Sequence, residues 1–255
     1  MFFDDQRRGR RSSSIPGSCG YETDRSAAVD LFGELLGPYL CPRCIDAYMP
    51  VESPVCTCCG KVFATRHGED HLCASCLRQK KIFHRSRSAG IYKGPLLTLI
   101  HQLKYHGRSE LAGPLGELLY HTYCKHWKAG DIDWIVPVPL HPRKRRRRGF
   151  NQAHLMVARW PRYLQEEDND NRVNLMTNIL QRVRFTASQT GLERKQRQRN
   201  IKGAFKIKAG ENLQKGSILL IDDVFTTGAT VTECARVLLA GGAGRVDVLT
   251  LARAI

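Results

Sequence analysis

The sequence predicts an α/β protein in which helices flank a parallel sheet and a small cysteine-rich module precedes that sheet. Near the C-terminus, a continuous apolar stretch at 217–221 is followed by a helical pattern at 229–240 and a second apolar stretch at 246–251. This order and spacing are typical of a βαβ unit with parallel strands. Eight of the ten cysteines lie before residue 77, which indicates a separate N-terminal module.

The length of the chain bounds this organisation. With 255 residues, it can form one α/β core and a smaller module, but not two full-size domains. We expect a disordered N-terminus at 1–26, a cysteine-rich module with a preceding helix at 27–80, and the α/β domain at 85–255. No segment reaches the roughly 18 apolar residues of a membrane helix, and the arginine-rich start lacks the apolar stretch of a secretory signal. We therefore expect no membrane insertion and a cytoplasmic location.

Helical and strand patterns alternate between the two ends of the chain. The spacing of apolar residues predicts helices at 95–105, 111–127 and 152–163. Strands are predicted at 135–139, which ends at prolines, and at 175–180. The strongly basic segment 182–202 has a turn-like composition, so we interpret it as a mobile loop.

Six of the N-terminal cysteines form Cys-x-x-Cys pairs. Two pairs separated by 13 residues have the spacing of a four-cysteine zinc ribbon. They are Cys56, Cys59, Cys73 and Cys76. We expect them to hold a structural zinc ion, the alternative being unmetallated cysteines. The third pair, Cys41 and Cys44, lacks a partner pair in the sequence, so a second zinc ion stays open.

The chain is strongly basic, with 40 Lys+Arg against 24 Asp+Glu and a formal net charge of +16. Six consecutive cations occupy 143–148. Clustered positive charge favours nucleic acid or polyphosphate as a partner, because each neutralised phosphate releases counterions. The alternative is a solvated run of charge without a partner.

The strongest signal for a ligand follows the apolar stretch 217–221, where Asp222 and Asp223 precede a Thr-Thr-Gly-Ala-Thr loop. α/β folds bind ligands at the carboxyl ends of parallel strands. The N–H groups at the start of the next helix and the threonine hydroxyls can bind one phosphate, and Gly228 lets it approach the backbone. The carboxylates suit ribose hydroxyls or a Mg²⁺ ion. The alternative is a capped helix after a core strand, with both carboxylates solvated.

This segment resembles the motif with which type I phosphoribosyltransferases bind 5-phosphoribosyl-1-pyrophosphate (PRPP). The resemblance implies that the two carboxylates hold the ribose hydroxyls together with Mg²⁺, and that the loop binds the 5-phosphate. The matching residues are Asp222, Asp223, Val224, Phe225, Thr226, Thr227, Gly228, Ala229 and Thr230. Hypoxanthine-type members carry an acidic residue at the position of Thr226, which argues against that class of substrate here.

Further motifs resemble the ComF/GntX-type family of competence-related phosphoribosyltransferase-like proteins. They are Leu-Lys-Tyr at 103–105, Pro-Val-Pro-Leu at 137–140, Arg-Gly-Phe-Asn-Gln at 148–152 and Ser-Gln-Thr-Gly-Leu at 188–192. The resemblance extends from about Cys41 to the C-terminus. It implies a type I phosphoribosyltransferase-like sheet, flanked by helices and preceded by a zinc ribbon.

The resemblance also implies roles for the basic segments. Pyrophosphate or another anion is expected at Lys104, Val138, Pro139, Arg143, Arg147 and Arg148. Segment 182–202 is expected to act as a flexible lid through Gln189, Arg194 and Arg199. Two aromatic residues among these cations, Phe150 and Phe185, either stack on nucleic-acid bases or anchor loops to the core.

Three functions are compatible with the sequence. The family implies a PRPP-binding protein that acts with single-stranded DNA in DNA uptake, together with a DNA-uptake helicase. The second is an active phosphoribosyltransferase with an unidentified small acceptor. The third is a PRPP-sensing regulator without catalysis. Because no residue is identifiable as a general base for the acceptor, the sequence does not decide whether there is turnover.

Overall fold

The structure is a computed structural model that describes residues 25–65, 67–167, 173–186, 194–210 and 213–255. The terminus predicted to be disordered, 1–26, lies outside these ranges except for its last two residues, which begin the first helix.

In the described part of the chain, five parallel strands form the central sheet, in the order β1-β7-β6-β2-β3, and two further strands form an antiparallel hairpin, β4–β5. The strands are β1 Ser86–Ile91, β2 Trp134–Pro137, β3 Asn174–Leu175, β4 Leu180–Arg182, β5 Phe205–Ile207, β6 Ser217–Phe225 and β7 Arg245–Arg253. The long strands β6 and β7 lie inside the sheet and are mostly buried on both faces. This burial explains their continuous apolar sequences.

Helices cover both faces of the sheet. They are α1 Arg25–Leu36, α2 Pro42–Asp46, α3 Ala74–Arg78, α4 Gly94–Tyr105, α5 Ala112–His126, α6 Pro142–Arg148, α7 Gln152–Val157, α8 Trp160–Glu167, α9 Arg194–Ile201 and α10 Ala229–Ala240. Short 3₁₀ turns occur at Gly37–Tyr39 and Ser109–Leu111.

The sheet separates two hydrophobic layers. On one face of β6, Leu219 and Ile221 pack with α1, α4, α5, α7 and α8. On the other face, Ile218 and Leu220 pack with α10, the β4–β5 hairpin and the buried cysteines. Successive side chains of a strand point to opposite faces. Asp222 and Asp223, which follow Ile221, are therefore directed to different layers.

Most of the predicted elements are confirmed. The helices predicted at 95–105 and 111–127 are α4 and α5, and the predicted βαβ unit is β6–α10–β7. Strand β6 continues beyond the predicted end at 221, through both carboxylates, to Phe225. Its extension is supported by pairing with β7, in which Asp222 lies opposite Thr250 and Val224 opposite Ala252.

Three local predictions are wrong. The single helix predicted at 152–163 is two helices, α7 and α8, because Pro161 has no N–H to continue the hydrogen bonding of the first. The strand predicted at 175–180 is also two, β3 and β4, which belong to different sheets. The segment 182–202 is not a loop throughout, since α9 occupies Arg194–Ile201. Arginine, lysine and glutamine favour helix, and the buried Ile201 anchors its end.

Within the described ranges, none of the helices has the length and apolar character needed to cross a membrane.

Candidate functional site

The loop between β6 and α10 presents the predicted phosphate-binding residues at the carboxyl end of the sheet. Gly228 precedes α10 with φ of +76°, a left-handed conformation that other residues rarely adopt. A Cβ atom here would lie 2.6 Å from the ring of Phe225, so the loop packs on this ring only with glycine. Thr226, Thr227 and Thr230 are partly exposed. The loop can therefore offer hydroxyl and N–H groups to an anion.

Asp223 is the less exposed member of the carboxylate pair, with 5% of the residue exposed, while Asp222 is partly buried. Its Oδ1 accepts a hydrogen bond of 2.7 Å from Nζ of Lys104, on α4. Its Oδ2 accepts another of 2.7 Å from Nε2 of Gln152, on α7. Burial lowers the pKa of Lys104, but the charge of Asp223 and the hydrogen bond to it outweigh burial and raise that pKa overall. Lys104 therefore stays charged at neutral pH and compensates the buried carboxylate.

Gln152 connects this ion pair to α6. Its Oε1 accepts a hydrogen bond from Nη1 of Arg148, while its Nε2 donates to Asp223. Residues from the motifs at 103–105 and 148–152 thus come together at the carboxylate of Asp223. Sequence reasoning assigned no role to Gln152, although its place in the Arg-Gly-Phe-Asn-Gln motif was the available signal.

Asp222 faces the other layer of the protein, where its charge interacts with Arg182 of β4 and with Cys234 of α10. Its Oδ1 accepts a hydrogen bond of 2.9 Å from the backbone N–H of Asp223. Burial, and then the charge of Asp223, raise the pKa of Asp222 to about 7. The two carboxylates therefore have different environments, although the sequence resemblance gave them one role.

The strand end predicted to bind pyrophosphate is held by hydrogen bonds. The N–H of Val138 donates to the oxygen of Ile221 at 2.8 Å. The oxygen of Val138 accepts from Nδ2 of Asn151 at 3.1 Å, and Oδ1 of Asn151 caps α7 by accepting from the N–H of Ala153. Pro139, which follows the strand, is partly exposed. This segment is therefore positioned beside β6, next to the carboxylate pair.

The six consecutive cations at 143–148 all lie in helix α6. His141 caps the helix, since its Nδ1 accepts from the N–H of Arg143 at 3.2 Å, and Gly149 ends it in a left-handed conformation. Arg143 and Arg147 are exposed. Arg148 instead turns toward Gln152 and toward the ring of Tyr105, 5.6 Å from its centre. One end of the run thus joins the carboxylate network, while Arg143 and Arg147 face solvent.

A basic cleft of about 920 Å³ lies between the α6–α7 segment and the β4–β5 hairpin. Its basic residues are His141, Arg145, His154, Arg182, Lys206 and Lys208. The ring of Phe185 lies beside His141, 5.3 Å between centres, and is 47% exposed. Arg143 and Lys144 each lie 5.7 Å from the centre of this ring. Phe150, by contrast, packs against the core and anchors its loop.

The structure describes the three predicted lid residues to different extents. Gln189 and the side chain of Arg194 lie outside the described residues. Arg199 is exposed on α9. The turn after α9 is tied to α10, because the N–H of Gly203 donates to Oε1 of Glu233 at 2.7 Å.

The four predicted zinc ligands come together in one cluster. All four sulfur atoms lie within 4.8 Å of one another and are buried. Sγ of Cys59 lies 3.8 Å from Sγ of Cys73, and a tetrahedron with Zn–S distances of about 2.3 Å has edges of about 3.8 Å. The N–H groups of Cys59 and Cys73 donate to Sγ of Cys56 at 3.4 and 3.3 Å, which stabilises a thiolate. This Cys56, Cys59, Cys73, Cys76 cluster suits a structural zinc ion.

The third cysteine pair lies apart from this cluster. Cys41 is exposed at the start of α2, and Cys44 lies within that helix. In the part of the chain that the structure describes, no histidine, cysteine or carboxylate completes a metal-binding group with them. A second zinc ion at this pair therefore gains no support from the described residues.

The cysteine cluster contacts the end of β6 through Arg253, at the end of β7. The guanidinium of Arg253 donates to the backbone oxygen of Cys59 and lies 3.6 Å from its Sγ. The same guanidinium lies 4.6 Å from the centre of the Phe225 ring, which Phe83 meets edge-on. The cluster is thus packed against the residue that precedes the loop.

Comparison with known proteins identifies the family. Over 220 residues, the chain is 35% identical to DNA utilization protein YhgH of Escherichia coli (strain K12), which covers 85% of this chain and 91% of that protein. It is 33% identical to Competence protein F of Haemophilus influenzae over 205 residues, 79% of this chain and 85% of that protein. This chain belongs to the ComF/GntX-type family.

More distant comparisons add less to this assignment to the ComF/GntX-type family. Competence protein ComFC of Bacillus subtilis (strain 168) is 24% identical over 227 residues, 84% of each chain. No family model matches the chain. A hypoxanthine phosphoribosyltransferase structure from Staphylococcus aureus covers 58% of this chain and 64% of its own, with 15% identity and a TM-score of 0.31, a likeness too low to support an argument.

The motifs that resemble the ComF/GntX-type family are those that converge in space. Lys104, Arg148 and Gln152 come from two of these motifs and meet at Asp223. The family assignment and the geometry therefore point to the same edge of the sheet.

Proposed function

We propose that this protein acts in DNA uptake as a ComF-type protein, and that it binds both single-stranded DNA and PRPP. The names of its relatives, which are DNA utilization and competence proteins, indicate the process. The basic cleft indicates the class of polymer. The observation that carries the proposal is the exposed ring of Phe185, which lies among cations beside that cleft.

Phe185 suits a single strand better than a duplex, because the bases of a single strand are free to stack on aromatic side chains. Stacking on an aromatic side chain contributes about 1–3 kcal/mol per base, while nearby cations bind the phosphates. Arg143 and Lys144 lie on α6, so their charges are held next to the ring. The basic cleft, which His141 also lines, supplies three further cations for the phosphates, Arg145, Lys206 and Lys208.

The β6–α10 loop is proposed to bind the 5-phosphate of PRPP, with Asp222 and Asp223 toward the ribose. The left-handed Gly228 and the partly exposed threonines support this role. Lys104 and Gln152 hold Asp223 in one orientation. Carboxylate oxygens are preferred Mg²⁺ ligands, and a bound Mg²⁺ ion would offset the charge of pyrophosphate. The pyrophosphate itself is proposed to lie near Val138 and Pro139, with cations of α6.

Three further proposals concern the organisation of the chain, its location and its partner. The first is a division of the chain into a zinc-ribbon module at 27–80 and a phosphoribosyltransferase-like domain at 85–255. The second is a cytoplasmic location, and the third is a DNA-uptake helicase as partner. Limited proteolysis tests the first, cell fractionation the second, and co-purification with the helicase the third.

Fluorescence anisotropy with a labelled single-stranded oligonucleotide tests the DNA proposal. We expect binding that weakens steeply between about 50 and 200 mM salt. Phe185→Leu should weaken binding by about tenfold, the equivalent of about 1.4 kcal/mol, whereas Phe185→Tyr keeps the ring and should bind as the wild type does. Salt-insensitive binding, or equal affinities for the Leu and Tyr variants, would contradict the proposal.

A further inference from the structure

A second basic cleft lies between the cysteine cluster and the β6–α10 loop. It has a volume of about 480 Å³, and we call it the module cleft. The residues that define it are Lys61, Lys80, Lys81, Thr226, Thr227 and Arg253. It is distinct from the basic cleft beside Phe185, with which it shares no lining residue.

The lining of the module cleft carries four cationic side chains and, among the described residues, no carboxylate. Lys61 and Lys80 are exposed and Lys81 is partly buried. No described acidic side chain forms an ion pair with any of the three. Three unpaired cations that share one concave surface are typical of a site for a polyanion.

Arg253 adds a buried cation to the same surface. The residue is 7% exposed, and its Nε has no hydrogen-bond partner among the described residues. Its other nitrogens contact Cys59, so it partly offsets the negative charge of a zinc–thiolate group. The positive charges of Lys61, Lys80 and Lys81 exceed the negative charge that Arg253 leaves without compensation. The cleft therefore has a net positive charge.

Thr226 and Thr227 connect the module cleft to the phosphate-binding loop, because both residues line the cleft and both precede Gly228. An anion in the cleft would therefore lie beside a phosphate held by the loop. PRPP has a single phosphate at its 5-position and nothing beyond it to fill the module cleft. A nucleic-acid strand has a phosphate at each nucleotide, so one backbone phosphate can occupy the module cleft while the 5-phosphate of PRPP occupies the loop.

We propose that the module cleft binds a backbone phosphate of single-stranded nucleic acid, next to the phosphate position of the β6–α10 loop. This inference rests on the proposed function, because it assumes that the protein binds single strands. It assigns the cysteine module a part in ligand binding in addition to its structural zinc ion. The strand would then contact the protein at both the basic cleft and the module cleft.

The test compares Lys80→Gln/Lys81→Gln with the matched pair Lys125→Gln/Lys128→Gln. The control lysines are exposed, at and just after the end of α5, and line neither of the two basic clefts. Affinity for a single-stranded oligonucleotide should fall about tenfold in the cleft variant and little in the control. The slope of log affinity against log salt should become shallower by about 0.7, the value for one lost phosphate contact on a single strand.

Two further readouts distinguish the explanations. PRPP binding and zinc content should be unchanged in the cleft variant. If the variant loses zinc while its oligonucleotide affinity equals that of the control, the lysines serve only the metal site and the inference is overturned. If the wild type binds oligonucleotide but both variants bind equally well, the inference fails and the proposed function stands. If the wild type binds no oligonucleotide, both fail.

Discussion

The carboxylate of Asp223 accepts a 2.7 Å hydrogen bond from the ammonium group of Lys104, although the two residues are 119 positions apart in the chain. Both are largely buried, with 7% and 15% of their side chains exposed. The pair joins β6 to α4 at the carboxyl end of the sheet. It therefore fixes one wall of the proposed PRPP site.

Loss of this pair should destabilise the protein. Lys104→Met leaves the buried carboxylate of Asp223 without its compensating charge, at a cost of about 3 kcal/mol in the free energy of unfolding. Lys93→Met is the matched control, because Lys93 is exposed at the start of the same helix and should change stability by less than about 0.5 kcal/mol. Urea unfolding measures both. Equal stabilities of the two variants would show that the pair does not stabilise the fold.

The pKa of Asp222 predicts a pH-dependent stability. Its pKa is raised from 3.8 to about 7, so between these values the folded protein retains a proton that the unfolded chain has released. The free energy of unfolding therefore falls as pH rises through this window, by up to about 1.4 kcal/mol per pH unit. Asp222→Asn removes this dependence. Its stability relative to the wild type should be greater at pH 8 than at pH 5, and a difference independent of pH would contradict the assignment.

Zinc removal should lower the melting temperature. Cys73→Ser breaks the four-cysteine cluster and should lose the metal, which elemental analysis detects. For a loss of about 3 kcal/mol, the melting temperature of a chain of this size falls by about 6–12 °C. Cys124→Ser, which changes a cysteine of α5 outside the cluster, should keep its zinc. A wild-type protein without zinc, or a Cys73→Ser protein that retains it, would overturn the assignment.

The local patterns of the sequence predict the parts of the fold that local physics determines. The apolar stretches of β6 and β7 and the periodicity of α4, α5 and α10 are such patterns. The Cys-x-x-Cys spacing predicts the cluster because each pair brings two sulfur atoms into one turn. Helix α9 was missed because its amino acids favour helix without giving it an apolar face.

The arrangement of the site could not be predicted in the same way. No local pattern relates Lys104 and Gln152 to Asp223, since they lie on separate helices that meet only when the sheet forms. The opposite environments of Asp222 and Asp223 follow from the extension of β6, which depends on pairing with β7. The module cleft likewise requires the packing of Arg253 between Cys59 and Phe225.

The most direct test of the account is a calorimetric titration of the protein with PRPP and Mg²⁺. Gly228→Ala places a methyl group against the Phe225 ring, whereas Gly130→Ala has a similar left-handed φ, +81° against +76°, with no atom within 4 Å of the new Cβ. We predict that the wild type and Gly130→Ala bind PRPP and that Gly228→Ala does not. At a ligand concentration of about 100 times Kd, binding should also raise the free energy of unfolding of the wild type by about 2.7 kcal/mol. Absence of binding to the wild type, or equal affinities for the two alanine variants, would contradict a PRPP site at the β6–α10 loop.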